Sequence, residues 1–155
     1  MKKIFAILLV VLLAISIVAC DKKPVEPAPS VPGETNAPTD KVYNVVSLVN
    51  GNLGDKSFFD SAEAGLKKLA SDGRITYKTI EMGGTDADQP KWQETLDEVA
   101  QTGEYDLIIC GTYQMPDFLK ETATNYPDQK FLIYDDNTYV GDNQNVVNLT
   151  YRQND

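Results

Sequence analysis

Two hydrophobic periodicities alternate along the chain from residue 42 onward. Short apolar, β-branched runs predict strands, and apolar positions repeated every three or four residues predict helices. The first run ends at Asn50-Gly51, and the first helical stripe, which begins at Phe58, ends near Gly73. The pattern predicts strands at residues 42–49, 75–81, 107–110 and 131–134, a candidate fifth strand at 146–150, and helices at 58–73, 89–102 and 116–126.

This order of elements predicts the fold class. Alternating strands and helices, with strands that are apolar on both faces, are typical of a parallel sheet covered by helices on each side. We therefore expect an α/β fold, a doubly wound parallel sheet that forms one lobe. In such sheets ligands bind at the carboxyl ends of the strands, near the switch in strand order. A site is expected in the loops that leave the strands, at residues 50–57, 82–88, 111–115 and 135–136.

The first 40 residues carry no pattern of this kind. Lys2 and Lys3 precede an apolar stretch at residues 4–18, which is shorter than the run of about 20 residues that a membrane-spanning helix needs. The small residues before Cys20 resemble a bacterial lipobox, which predicts a signal peptide at 1–19 and a lipidated Cys20; an uncleaved membrane anchor is the alternative. Five prolines follow, so we expect residues 20–40 to form a disordered, extended linker before a domain at 41–155.

Composition removes several functional classes. The net charge of −9 makes nucleic acid and anionic lipid surfaces poor partners for the domain. The chain has no histidine, which excludes the Ser-His and Cys-His nucleophile pairs and the commonest general base. If Cys20 carries lipid, Cys110 is left alone, so neither a disulfide within the chain nor a cysteine metal site is expected. We expect no cofactor and no metal.

The loop after the first predicted strand contains most of the candidate binding groups. It runs from Asn50 to the adjacent rings of Phe58 and Phe59, with Asp55 between them. Two consecutive residues of a helix point about 100° apart, so one ring is expected at the rim of the cleft, where it offers a platform for a planar ligand. In the plainer interpretation Ser57 caps the helix, Phe58 joins the core and Asp55 faces water.

Polar groups also follow the third and fourth predicted strands. Thr112, Tyr113 and Gln114 bring a hydroxyl, a phenol and an amide to one edge of the sheet, where such groups orient a small molecule. In the plainer interpretation Thr112 caps the next helix and Tyr113 is partly buried. Asp135 and Asp136 close the fourth strand, where a carboxylate accepts two sugar hydroxyls or starts a turn. A paired-carboxylate hydrolase and a magnesium site are conceivable, although the acidic residues lack a recognisable metal spacing.

Several short motifs, taken together, resemble one family of exported proteins. They are Gly54 to Phe58 followed by Gly65, residues 105–109 followed by Gly111, residues 126–131 leading to Asp135, and residues 145–146 before 151–152. In this order they resemble the basic membrane lipoproteins, the PnrA-like, nucleoside-binding type I solute-binding proteins of ABC importers. The likeness covers nearly all of residues 41–155. Many relatives have asparagine where this chain has Phe59, and an acidic residue where it has Val49 and Asn50.

The resemblance implies two α/β lobes around a hinge, with a ligand, often a purine nucleoside, held between them and delivered to a membrane permease. It implies that this chain is one lobe of a type I periplasmic-binding-protein fold, that Phe58 stacks on a base and that Asp135 lies near the sugar. We expect a lipid-anchored binding component on the outer side of a bacterial cell membrane, not an enzyme. The predicted ligand contacts are Asn50, Asp55, Phe58, Phe59, Tyr113 and Asp135.

The resemblance also sets an expectation for length. Members of such a family should be about twice as long, as two lobes of ordinary size require. Residues 41–155 are therefore expected to hold the first lobe alone, a truncated form with half a cleft and weak binding. The main alternative is a surface lipoprotein or ligand sensor that has the fold without the transport function. A receiver-like signalling domain shares the acidic strand ends, but the export signal argues against it.

Overall fold

The computed structural model describes residues 41–139 and 142–151, and these ranges contain all of the predicted strands and helices of the domain. The predicted signal peptide, the lipidated Cys20 and the predicted linker lie outside the described residues. In the described ranges, no helix combines the length and the apolar character that crossing a membrane requires.

Five parallel strands and three helices make up the described part of the chain. The strands are β1 (Tyr43–Val49), β2 (Ile75–Glu81), β3 (Leu107–Gly111), β4 (Phe131–Tyr134) and β5 (Val146–Leu149). The helices are α1 (Phe58–Ser71), α2 (Gln89–Thr102) and α3 (Pro116–Asn125). The strand order is β2-β1-β3-β4-β5, and every neighbouring pair is parallel. The predicted doubly wound α/β sheet is confirmed.

The element boundaries follow the hydrophobic pattern closely. β2, β4 and α2 have the predicted bounds, and the remaining elements differ by one or two residues at an end. Gly73, with a φ of 72°, follows α1, and its N–H donates to the carbonyl of Ala70 at 3.0 Å. Gly103, with a φ of 62°, follows α2 in the same way. Glycine adopts a positive φ without the steric cost of a Cβ atom, so these two residues end the helices.

The main core lies between the sheet and the two helices α2 and α3. Trp92, Leu96 and Leu119 close its helical side, each with no exposed surface. The Trp92 ring meets the Phe118 ring edge-on, with 5.8 Å between centroids, and its Nε1 donates to the carbonyl of Gly83 at 3.0 Å. Burial of this apolar surface is the main stabilising contribution to the fold. Fully buried strand residues face these helices: Val46, Leu48, Ile108, Cys110, Phe131 and Ile133.

The opposite face of the sheet is only half covered. α1 lies on the β2 side of this face, with Leu66 buried beneath it. Beyond α1, Ile109 and Leu132 are partly buried, whereas Val147 and Leu149 of β5 are 60% and 44% exposed. Helices on both faces were predicted, and the structure shows that their coverage is uneven. We call this surface the open face; it consists of Ile109, Leu132, Tyr134, Val147 and Leu149 with the flank of α1 formed by Phe58, Ala62, Gly65, Leu66 and Leu69.

Candidate functional site

The direction of strand order reverses between β1 and β3, and the chain leaves both strands at the same edge of the sheet. In an open α/β sheet this switch point is where ligands bind. Asn50 follows β1 there, and its Nδ2 donates to Oε1 of Gln114, which follows β3, at 3.2 Å. Asn50 is 3% exposed, and its Oδ1 has no donor among the described residues. Buried acceptors nearly always have a donor, so this atom is a candidate contact for a ligand.

The loop after β2 approaches the same edge. The N–H of Met82 donates to the carbonyl of Val49 at 2.8 Å, and the N–H of Gly83 donates to that of Gly51 at 3.2 Å. A Cβ atom on Gly84 would lie 3.3 Å from the Cα of Gly51, so glycine allows the two loops to come this close. The loops after β1, β2 and β3 therefore meet at the switch point.

A carboxylate, rather than the predicted serine, caps the helix that follows this loop. Ser57 makes no side-chain hydrogen bond to cap α1. Asp55 instead accepts hydrogen bonds from the backbone N–H groups of Ser57, Phe59 and Asp60 at 2.9, 3.2 and 3.1 Å. These donors, that of Ser57 above all, favour the ionised carboxylate and hold the pKa of Asp55 below its ordinary value. The prediction that Ser57 caps α1 is wrong; Asp55 is exposed, as predicted, and it also supplies the cap.

Asp60, in the first turn of α1, holds the loop from the other side. Its carboxylate oxygens accept hydrogen bonds from the N–H groups of Gly54 and Lys56 at 2.7 and 2.9 Å. Both donors have positive φ angles, of 93° and 53°, so the chain turns sharply here. Acidic side chains at this end of a helix also match the positive end of its dipole. Asp55 and Asp60 together fix the position of Phe58 and Phe59 where the loop meets α1.

The two adjacent phenylalanines have different environments. The Phe59 ring lies against Gly51, where an added Cβ atom would overlap the ring. Phe58 is 46% exposed and borders the open face at the first turn of α1. One of the two rings was expected at the rim, and the structure identifies Phe58 as the accessible one.

The loop between β3 and α3 presents a ring to solvent. Tyr113 is 69% exposed, so the alternative in which it becomes partly buried is wrong. α3 begins after Met115 without a side-chain cap, so Thr112 does not have the predicted capping role either. Thr112 itself is 7% exposed. Tyr113 and Gln114 therefore lie next to each other at the switch point, one in solvent and one partly buried.

The two aspartates after β4 differ in their environment: Asp136 starts the turn, and Asp135 does not. The turn belongs to Asp136, whose buried carboxylate accepts hydrogen bonds from the N–H groups of Thr138 and Tyr139 at 3.0 and 2.7 Å. Asp135 has a φ of 55°, and its N–H donates to the carbonyl of Leu149 in β5 at 3.0 Å. Within residues 41–139 and 142–151, no donor engages the Asp135 carboxylate, which is partly exposed beside Thr150 and Tyr151.

Two further polar groups at this edge, Gln114 and Tyr134, were not among the predicted contacts. The Tyr134 ring covers Gly111, where a Cβ atom would overlap it, and the residue is 5% exposed. Its hydroxyl has no partner in the part of the chain that the structure describes, and burial raises the pKa of the phenol. The sequence alone does not indicate this contact, because it depends on the strand register that pairs Tyr134 of β4 with Gly111 of β3. For Gln114 the sequence already indicates an amide at this edge, because the residue follows the third predicted strand; its partner, Asn50, is what the structure adds.

The chemistry available at this edge is binding by rings and hydrogen bonds. Among the described residues, no three acidic or cysteine side chains are grouped so that they could hold a metal ion. Cys110 is fully buried at the end of β3, and burial raises the pKa of its thiol to about 12. The thiol is therefore protonated near neutral pH and is a poor nucleophile. Amide, phenol and carboxylate groups remain, and these orient small polar ligands.

The sequence and the fold are both similar to those of transport proteins. The sequence profile of the Bmp family, described as ABC transporter substrate-binding protein PnrA-like, matches residues 42–155. A solved solute-binding protein of an ABC transporter system from Aeropyrum pernix K1 superposes with a TM-score of 0.60 at 28% identity. The superposition covers 68% of this chain and 28% of that one.

Longer lipoproteins are among the relatives in sequence. An uncharacterised lipoprotein of Pyrococcus abyssi is 28% identical over 120 residues, which are 77% of this chain and 28% of that protein. The CD4+ T-cell-stimulating antigen of Listeria monocytogenes is 29% identical over 105 residues, which are 68% of this chain and 29% of that protein. The matched segments are thus less than a third of these relatives, a smaller share than the half that was expected.

Proposed function

Because the chain belongs to the PnrA-like family of ABC transporter substrate-binding proteins, we propose that it captures a purine nucleoside outside the cell and delivers it to a membrane permease. Its described residues form one lobe of the type I solute-binding fold. Two observations carry the ligand proposal: Phe58, at the start of the helix that follows β1, has an exposed ring, and Oδ1 of Asn50, directly after β1, is a buried acceptor without a donor among the described residues. A planar base needs both a face to stack on and polar groups at its edge.

Phe58 supplies the stacking surface in this proposal. Phe58 is the first residue of α1 and is 46% exposed, whereas Leu66 of the same helix is buried. Stacking of a base on such a ring contributes about 1–3 kcal/mol in single-stranded nucleic-acid sites, and a purine has the larger face of the two base classes. Phe59 has a supporting role, because its ring is packed against Gly51 and keeps the loop in place.

Asn50 and Gln114 recognise the edge of the base. The Nδ2 group of Asn50 is engaged by Gln114, so its Oδ1 is left to accept an N–H group of the ligand. Adenine carries such donors on its exocyclic amine and guanine on N1 and its amine, next to ring nitrogen and carbonyl acceptors. The Nε2 group of Gln114 is the complementary donor for those acceptors. The pair therefore offers one acceptor and one donor side by side.

Asp135 and Tyr113 bind the sugar. They follow β4 and β3, which are neighbours in the sheet. The carboxylate of Asp135 is available because Asp136 forms the turn instead, and the Asp135 backbone is fixed by its bond to Leu149. One carboxylate accepts hydrogen bonds from two neighbouring hydroxyls, as a ribose presents them. Tyr113, 69% exposed, adds a phenol at the outer rim.

Asp55 acts through the loop that it shapes. Its carboxylate already accepts three backbone N–H groups at the start of α1, so it positions Phe58 and does not need to touch the ligand itself. The same interactions hold the first turn of α1 rigid. A ring that is fixed before the ligand arrives loses less entropy on binding.

The transport role requires attachment near a permease. We propose that Cys20 is lipidated on the extracytoplasmic side of a bacterial membrane and that residues 20–40 act as a spacer. Relatives from Pyrococcus abyssi and Pyrococcus furiosus carry the name lipoprotein, which supports this. A tether raises the effective concentration of the domain at the permease without any new contact. The chain then works by capture and handover, with no cofactor and no catalytic step.

Isothermal titration calorimetry of the full chain in lipid nanodiscs, with adenosine, guanosine, inosine and uridine, tests the ligand proposal. One lobe covers one side of a ligand, so we expect Kd values of about 10 μM to 1 mM. The purine nucleosides should bind more tightly than uridine, and D-ribose alone should not bind detectably. Phe58→Ala should weaken purine nucleoside binding by about 1–3 kcal/mol, whereas Lys120→Ala, on the exposed side of α3, should leave it unchanged.

The outcomes separate the two parts of the proposal. Binding of purine nucleosides that depends on Phe58 supports it. Binding of an amino acid or a free sugar, with none for nucleosides, would keep the solute-binding function and overturn the ligand. No binding and no thermal stabilisation with any of these solutes would favour a surface lipoprotein without a transport role, since a ligand that binds the folded state must stabilise it.

A further inference from the structure

The hydroxyl of Tyr134 is a buried polar group without a role in the fold described above. Tyr134 is 5% exposed, and its hydroxyl has no hydrogen-bond partner within residues 41–139 and 142–151. Buried polar side chains nearly always have a partner. We propose that this hydroxyl is a ligand contact that donates a hydrogen bond to one of the ribose hydroxyl groups of the bound nucleoside. The inference rests on the proposed function and adds a residue that determines its preference for a ribose.

The strand register brings this hydroxyl toward the switch point. Gly111 of β3 pairs with Tyr134 of β4 on one side and with Val49 of β1 on the other. The far end of the Tyr134 ring lies over Gly111, where an added Cβ atom would overlap Cζ, the ring atom that carries the hydroxyl. The ring therefore leans from β4 over β3 in the direction of β1. Its hydroxyl points toward the place where the strand order reverses and ligands bind.

The surface around Tyr134 connects the proposed stacking ring with the proposed sugar-binding carboxylate. Phe58 and Tyr134 line the same groove of the open face, which has a volume of about 710 Å³. Tyr151 lines this groove and also a smaller cavity of about 270 Å³ that contains Asp135. A nucleoside that stacks on Phe58 therefore has Tyr134 and Asp135 on one continuous surface.

The phenol of Tyr134 supplies the group that Asp135 lacks. A carboxylate only accepts hydrogen bonds, so Asp135 binds the protons of ribose hydroxyl groups and leaves their oxygen atoms in need of a donor. Burial raises the pKa of the Tyr134 phenol above its ordinary value, and nearby ionisable groups, including the carboxylates of Asp55 and Asp135, raise it further. The phenol therefore stays protonated near neutral pH and is able to donate.

Exposed side chains border the approach to this hydroxyl. Leu149 and Tyr151 line the groove beside Tyr134 and are 44% and 54% exposed. Exposed side chains change rotamer within picoseconds to nanoseconds. A ligand that arrives at this end of the groove can therefore reach a hydroxyl that is buried in its absence.

Calorimetry with modified sugars tests the contact. The full chain in lipid nanodiscs is titrated with adenosine, 2′-deoxyadenosine and 3′-deoxyadenosine, as wild type and as Tyr134→Phe, which keeps the ring over Gly111 and removes only the hydroxyl. The Kd for adenosine should rise about three- to tenfold, the effect of one hydrogen bond. For the deoxynucleoside that lacks the contacted hydroxyl, the Kd should not change. Tyr105→Phe, at the opposite edge of the sheet before β3, is the matched control and should leave all three Kd values unchanged.

Urea unfolding without ligand tests the unpaired state of the hydroxyl separately. Removing a buried hydroxyl that has no partner costs no hydrogen bond, so the urea midpoint of Tyr134→Phe should equal or exceed that of wild type. A lower midpoint would mean that the hydroxyl is bonded within the chain, which would overturn the inference.

The binding outcomes distinguish this inference from the proposed function. Equal adenosine affinities for wild type and Tyr134→Phe would overturn the Tyr134 contact and leave the nucleoside proposal in place. A loss of the same size with all three nucleosides would show that the hydroxyl does not contact the ribose, which also overturns the inference. If wild type itself binds none of them, the proposed ligand fails and the inference fails with it.

Discussion

The Nδ2 atom of Asn50 donates a hydrogen bond to Oε1 of Gln114 across 3.2 Å. This bond links the ends of β1 and β3 through two residues that are 64 positions apart in the chain. The bond fixes the orientation of the buried Asn50 amide and leaves its Oδ1 without a donor among the described residues. An amide that is oriented before the ligand arrives needs less reorganisation on binding. The same bond joins the loops on the two sides of the switch point.

Replacing this amide pair by apolar side chains should separate stability from binding. Removing one partner of a buried hydrogen bond leaves the other unpaired, whereas exchanging both partners for apolar groups of similar shape is nearly neutral or stabilising. We therefore expect Asn50→Leu combined with Gln114→Met to change the free energy of unfolding by less than about 1 kcal/mol, or to raise it, while nucleoside affinity falls about tenfold or more. Urea unfolding and calorimetry measure the two quantities. A variant that loses stability and keeps its affinity would show that the amide pair has a structural role only.

The two phenylalanines should respond in opposite ways to truncation. Phe58→Ala removes an accessible ring, so nucleoside affinity should fall by about 1–3 kcal/mol with little effect on unfolding. Phe59→Ala removes the ring that packs against Gly51 and should destabilise the domain by about 1–3 kcal/mol. Phe58→Tyr, which keeps the ring, is the control for affinity. Equal affinities for wild type and Phe58→Ala would remove stacking from the proposal.

The contact between Gly111 and the Tyr134 ring should make a small substitution costly. A Cβ atom at position 111 overlaps the ring, so Gly111→Ala should destabilise the domain by about 1–3 kcal/mol. Tyr134→Val in the same chain should recover part of this loss, because the obstructing ring is gone. Gly65→Ala is the opposite case, since open space surrounds it, and should stabilise the domain by about 0.5–1 kcal/mol. Urea unfolding of the four chains gives these differences.

Acidic pH should lower the stability that the Asp55 cap gives to the first turn of α1. The pKa of Asp55 is held below its ordinary value of 3.8 by the backbone N–H groups of Ser57, Asp60 and Phe59. The ionised carboxylate therefore contributes stability above pH 3.8, and this contribution is lost as the pH falls through the lower pKa of the folded state. Asp55→Asn should be less stable than wild type at neutral pH, and the difference should shrink as the pH falls below 3.8.

Urea unfolding at a series of pH values measures this effect. Asp128→Asn, at an exposed turn after α3, is the matched control and should follow the wild-type curve. A constant difference between Asp55→Asn and wild type across the acid range would mean that the charge of Asp55 does not contribute to the cap.

The thiol of Cys110 should be unreactive until the domain unfolds. It is fully buried, and burial raises its pKa to about 12, so neither access nor ionisation favours alkylation at pH 8. Iodoacetamide should label Cys110 rapidly in concentrated urea and negligibly in the native protein, as peptide mass spectrometry would show. Labelling of the native chain at the rate of a free thiol would contradict the burial of β3.

Most of the secondary structure could be predicted because it follows from local patterns. The strands are short apolar runs, and Gly73 and Gly103 end helices for a reason that is visible in the sequence. The cap of α1 could not be predicted in this way. Ser57 has the right spacing for a cap, but the tight turn at Gly54 brings the carboxylate of Asp55 to the same N–H groups, and the stronger acceptor is the one that binds them.

The candidate site could be predicted only as far as its strand ends. Asn50 and Asp135 are placed by the parallel sheet itself, since each directly follows a strand. The partner of Asn50, Gln114, and the covering of Gly111 by Tyr134 depend on register between distant segments. The uneven covering of the sheet also depends on where α1 lies across the strands, which no local pattern encodes.

The position of β5 at the uncovered edge of the sheet determines which part of the domain opens first. β5 pairs with β4 alone among the described strands and has no helix over its exposed face, so its amide protons should exchange with solvent faster than those of β1. Local unfolding of β5 breaks the bond between the N–H of Asp135 and the carbonyl of Leu149. A ligand held by Asp135 would therefore slow hydrogen exchange along the whole edge strand, and the edge strand would in turn limit how long that ligand stays bound.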